Sequence, residues 1–176
     1  MRLPVDALRL GKFMRAFGAE ASQPVRAYLT GGATAVVLGW RTSTLDIDLE
    51  LVPEDDRLLR AIPSLKESLQ INVELASPAH FIPELPGWQD RSRFITQEAV
   101  TSFYHYDFYA QALSKIERGH AQDLKDVNTL LHTGLIESTR LRELFEAIFP
   151  SLYRFPAIDP DSFRQALEAI LAGPRD

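Results

Sequence analysis

The stretch Thr30-Gly31-Gly32-Ala33-Thr34-Ala35-Val36-Val37-Leu38-Gly39-Trp40-Arg41-Thr42-Ser43-Thr44-Leu45-Asp46-Ile47-Asp48-Leu49 decides how the rest of the chain is read. The residues just before it, 25–29, are rich in β-formers and predict a strand. Gly31-Gly32 breaks that strand. Small and apolar residues over 33–38 then give two helical turns, with Gly39 as the stop. From 44 to 52 the pattern alternates. Leu45, Ile47, Leu49 and Leu51 are expected on one face, Asp46, Asp48 and Glu50 on the other.

Asp46 and Asp48 leave the same strand face about 7 Å apart along the chain. Carboxylates held so close repel unless a cation sits between them. Mg²⁺ (or Mn²⁺), shared with substrate phosphates, is the natural counter-charge. The same acids would also serve as the solvated face of an edge strand. A glycine turn between strand and helix lets backbone N–H groups approach a phosphate, or it is simply a tight turn. Arg41 either clamps a phosphate or pairs with Asp46, Asp48 or Glu50. What favours the chemical reading is the order: turn, helix, acidic strand.

Outward from this stretch, Asp6 caps a helix over 7–21 whose apolar stripe is Leu8, Phe13, Met14 and Phe17. Pro53 opens another, with Glu54, Asp55 and Asp56 in its first turn, running to about 70; Pro63 should kink or split it. Residues 71–76 alternate again, with Asn72 and Glu74 on the polar side. Residues 77–90, holding Pro78, Pro83, Pro86 and Gly87, read as the longest loop. Strands are expected at 93–97 and 101–106, then helices at 108–119, 121–132, 138–149 (capped by Ser138) and from Pro160 or Asp161 to 171. The order predicts an α+β fold, a mixed β-sheet flanked by helices and followed by a helical C-terminal part. We expect the core over 1–110 and the helical part, packed on it, over 111–176.

The chain has 176 residues and no cysteine, which excludes disulfides, thiolate zinc sites and Cys nucleophiles. A net charge of −5 argues against an extended nucleic-acid surface but leaves room for a local basic groove. There is no membrane-spanning run and no signal-peptide pattern, so a cytoplasmic location is expected. His105 and His120 read as structural, and the aromatic run 103–109 as packing.

Together these parts resemble the nucleotidyltransferase signature of the polymerase-beta-like superfamily at Gly31, Gly32, Asp46 and Asp48. Where many members carry Ser, this chain has Gly32, so a hydroxyl contact to phosphate is missing there. The resemblance implies that the glycine turn holds a triphosphate beside the metal-binding Asp46 and Asp48. It also makes Glu74 the third carboxylate, a general base for the acceptor hydroxyl. A second block, Lys115-Ile116-Glu117-Arg118 with Asp123-Leu124-Lys125-Asp126, is similar to the AbiEii-like nucleotidyltransferases of abortive-infection and toxin–antitoxin systems. There it implies that Lys115, with Arg118, contacts nucleotide phosphates and that Asp123 or Asp126 orients the site or the acceptor. The plainer account of this block is a pair of amphipathic helices laced by Lys–Asp salt bridges. The function so implied is transfer of an NMP from an NTP to an acceptor hydroxyl, on RNA (a tRNA 3′ end) or a protein. A cognate antitoxin or partner protein is implied too. The alternatives are a small-molecule nucleotidyltransferase and a catalytically silent binding module on the same fold.

Overall fold

The computed structural model describes residues 1–173, so the last three residues of the 111–176 assignment lie outside the described residues. The chain divides into two compact units, each made of two segments: Met1–Ser77 with Ser92–Tyr106, and Pro78–Arg91 with Asp107 onward.

The first unit contains β1 (Val5–Asp6), α1 (Ala7–Gly18), β2 (Val25–Thr30), α2 (Gly32–Leu38), β3 (Ser43–Thr44), β4 (Asp46–Val52), α3 (Asp56–Leu69) and β5 (Asn72–Leu75). Its sheet is completed by two strands from the second segment, Arg93–Glu98 (β6) and Thr101–His105 (β7). Strand order is β5-β4-β2-β7-β6. β2 runs antiparallel to β4 and parallel to β7, while β4 and β5 are parallel and β6 and β7 antiparallel. The sheet is mixed and the fold α+β, as the element order predicts.

Alternation explains which face is buried. Val25, Ala27 and Leu29 of β2, Ile47, Leu49 and Leu51 of β4, Val73 and Phe103 join one core with Leu10, Phe13, Met14 and Phe17 of α1, Val36 of α2 and Leu58 of α3. The polar residues of β4 and β5 are thereby turned to the other face.

Several boundaries differ from expectation, each for a local reason. The strand expected over 44–52 is split: Ser43–Thr44 pairs with Val5–Asp6 as a separate two-stranded ribbon, and β4 starts at Asp46. Leu45, caught between the two, is 73% exposed rather than in the core. Leu75, at the end of its strand, is exposed as well. α3 begins at Asp56, not Pro53, because the buried Asp55 carboxylate accepts from the backbone N–H groups of Arg57 and Leu58. α3 passes through Pro63 unsplit. That proline is exposed, so water can take up the carbonyl its missing N–H leaves unpaired.

The second unit holds a 3₁₀ turn at Pro78–His80, α4 (Trp88–Arg91), α5 (Phe108–Arg118), α6 (Ala121–His132), α7 (Ser138–Ile148), a 3₁₀ segment at Phe149–Arg154 and α8 (Pro160–Leu171). The expected long loop is thus partly ordered, with Ile82, Leu85 and Trp88 buried. Arg91 donates through Nε and Nη2 to Asp107 Oδ2, and the other oxygen of Asp107 caps α5. Glu137, not Ser138, is the N-cap residue of α7, while Asp159 caps α8 by accepting from Ser162 N. Among the described residues no helix is long and apolar enough to cross a membrane.

Candidate active site

β2 delivers its last residue, Thr30, opposite Asp48 in the antiparallel register. The chain then turns through Gly31 at φ +64°, a conformation that L side chains rarely adopt. A Cβ on Gly31 would stand 3.3 Å from Asp48 Oδ2, so the turn and this carboxylate are in direct proximity.

At Gly32 the crowding is steric. A Cβ there would lie 2.0 Å from Thr44 Oγ1, 2.6 Å from Thr44 Cβ and 3.3 Å from Arg41 Nη1. The Thr44 side chain therefore occupies the space a serine at 32 would need, with the Arg41 guanidinium beside it. Thr44 Oγ1 donates to the Asp46 carbonyl at 3.2 Å. The hydroxyl missing from position 32 is matched by one seated on it from β3.

The parallel pairing of β4 with β5 sets Asp46 beside Asn72 and Asp48 beside Glu74. Asn72 Nδ2 donates to Asp46 Oδ1 at 2.6 Å and to Glu74 Oε1 at 3.0 Å. The first unit thus brings together Gly31, Gly32, Arg41, Asp46, Asp48 and Glu74, all singled out in the sequence. It adds Thr44 and Asn72, which sequence reasoning passed over. Asn72 did carry a signal, its place on the polar side of β5 two residues before Glu74. Thr44 carried none, since its position depends on the β1–β3 ribbon.

These residues suit a hard divalent cation in one respect. Asp46 and Asp48 offer carboxylate oxygens on one strand face, both only partly buried. Among the described residues no three His, Cys, Asp or Glu side chains form a ready-made metal site. Two carboxylates plus substrate phosphates is the donor set Mg²⁺ commonly takes.

His105 ends β7 opposite Leu29, with Nδ1 3.1 Å from Thr34 Oγ1. Burial, and secondarily the Arg93 charge, lowers its pKa to about 4, so the ring is neutral at pH 7.

In the second unit, Lys115 Nζ lies 2.8 Å from Asp126 Oδ2 and 3.4 Å from Asp123 Oδ1. Arg118 grips Asp123 with Nε and Nη2 at 2.7 and 2.6 Å, and Gln122 Nε2 donates to Asp126 Oδ1 at 3.3 Å. Both aspartates and Lys115 are buried. Burial works against ionising Asp123, but the Arg118 hydrogen bond and the Lys115 charge outweigh it and hold its pKa below the ordinary range. The four charges balance. They clamp α5 to α6 across Gly119, whose φ of +73° allows the sharp turn.

A family model described as "Nucleotidyltransferase of unknown function (DUF6036)" matches residues 10–159. No curated protein and no solved structure matches the chain.

Proposed function

Because the chain belongs to this nucleotidyltransferase family, we propose that it moves an NMP from an NTP to an acceptor hydroxyl with Mg²⁺ or Mn²⁺. One observation carries the reading: the glycine turn, Arg41, Asp46 and Asp48 converge at one end of β2 and β4.

In this reading the backbone of Gly31 and Gly32 and the Arg41 guanidinium bind the triphosphate. Asp46 and Asp48 hold the divalent ion, which when bound supplies positive charge to the phosphates. Glu74 takes the proton of the acceptor hydroxyl. The acceptor oxygen bonds to the α-phosphorus, the bond from that phosphorus to the α–β bridging oxygen breaks, and pyrophosphate leaves with the electron pair. Lys115 and Arg118 enter through the resemblance of their block, as contacts to nucleotide phosphate. By the same resemblance Asp123 or Asp126 orients the site or the acceptor. On the same resemblance we assign the protein to a toxin–antitoxin or phage-defence system, and on the sequence pattern alone to the cytoplasm. Its acceptor is then RNA, such as a tRNA 3′ end, or protein, and an antitoxin is its partner.

The test is incubation with each NTP labelled at the α-phosphate, together with total RNA and cell lysate. Label should pass to an acceptor in the wild type and fall at least a hundredfold in Asp46→Ala and Asp48→Ala, with their melting temperatures kept. Undiminished transfer by either variant would refute the metal assignment. No transfer by the wild type would refute the enzyme.

A further inference from the structure

We propose that Asn72 is a positioning residue for the carboxylates of this centre; the inference rests on the metal reading above. Asp46, Asp48 and Glu74 sit on adjacent strands in paired register, so their charges repel unless something between them opposes the repulsion. Between Asp46 and Glu74 that element is a neutral amide. One nitrogen donates one hydrogen to Asp46 Oδ1 at 2.6 Å and the other to Glu74 Oε1 at 3.0 Å.

The chemistry of the partners fixes which end of the amide faces them. Both are acceptor-only when ionised, so the amide oxygen has nothing to bond there and the nitrogen does. Each bond engages a single oxygen of its carboxylate. The second oxygen of Asp46 has no hydrogen-bond partner among the described residues and is turned by the first into a fixed direction. Asn72 therefore sets which oxygen of Asp46 a cation meets. It likewise sets which oxygen of Glu74 is left to take a proton.

Residue choice at 72 follows from this. Aspartate has no N–H to offer and adds a further negative charge. Leucine matches the shape but offers no donor. Alanine, with neither shape nor donor, leaves both carboxylates free to rotate apart. Groups that orient metal ligands through such bonds typically contribute ten- to a hundredfold in metal affinity.

The experiment titrates the full chain with Mn²⁺ alone and reads the free ion by electron paramagnetic resonance, beside melting curves of the metal-free proteins. Asn72 is only half-buried on an edge strand, and two variants, Asn72→Leu and Asn72→Ala, guard against a packing effect. Both should bind Mn²⁺ about tenfold more weakly than wild type, with metal-free melting temperatures nearly unchanged. Asp46→Ala should show no saturable binding. If Asp46→Ala loses the ion while either Asn72 variant binds within twofold of wild type, the role of Asn72 is overturned and the metal site stands. If the wild type takes up no Mn²⁺, both fall.

Discussion

Gly32 is held to glycine by what sits on it rather than by its own backbone. Of the two glycines in this turn it is Gly31 that needs a positive φ; Gly32 needs an absent side chain, because Thr44 fills the space. Gly32→Ser should cost about 1–3 kcal/mol, the usual penalty for overpacking. Since Thr44 Cβ itself stands only 2.6 Å from the new Cβ, removing the hydroxyl alone gives incomplete relief. In a Thr44→Gly background the penalty should shrink by more than half. Chemical denaturation of the four proteins in this cycle measures the coupling, and additive effects would show that Thr44 is not the obstacle. At this scale the sequence was partly legible. Asp46, Asp48 and the glycines announce themselves by spacing, whereas Thr44 and Asn72 acquire meaning only from pairing partners far along the chain.

Helices and strands were legible where periodicity ran for several residues, and failed where pairing or capping decided the boundary. β4 reads from its alternation. The β1–β3 ribbon, two residues per strand, is too short to leave a pattern. The start of α3 was misread because proline and acidic residues are welcome in a first turn, while the actual cap is set by Asp55. The α5–α6 block reads from its spacing either as phosphate contacts or as helices laced by Lys–Asp pairs, and such pairs are present and buried. That sets an order of costs. Asp126→Ala leaves Lys115 buried with only the longer contact to Asp123, and should destabilise by about 3–5 kcal/mol. Lys115→Met fits the space and leaves Asp123 with Arg118, but it takes the cation from the buried Asp126 carboxylate, so it should cost at least as much. In an NTP titration, Lys115→Met should also bind more weakly than wild type; unchanged affinity would remove Lys115 from the phosphate contacts.

For the molecule as a whole, the order of elements was enough to give a mixed sheet followed by helices, since alternation changes to helical period at Phe108. The assignment of residues 78–91 to the second unit was not legible, because a 3₁₀ turn and a four-residue helix look like loop. Stability of the whole should also respond to acid in two windows. Below pH 6.5 the unfolded chain takes up a proton at His105 that the folded chain refuses until about pH 4. Acidification through that window therefore costs stability, by about 3 kcal/mol in total. Asp55, held low chiefly by the Ser22 hydroxyl, acts later. Its contribution is present above the ordinary carboxylate pKa of 3.8 and is lost as pH falls through its lower folded value. Melting temperatures from pH 7 to 4 should fall more steeply for wild type than for His105→Gln, and parallel curves would disprove the assignment.

The interleaving of the two units has a consequence for how the chain is made. Synthesis runs from one end, yet β7, which lies between β2 and β6, comes after residues 78–91 have already been produced. The nascent chain must therefore carry Ile82, Leu85 and Trp88 with their unit incomplete until Asp107 and the helices after it follow. A ribosome stalled or a message cut between those points would release an apolar segment with nowhere to go. The same geometry means that no single cut in the gene separates one unit from the other.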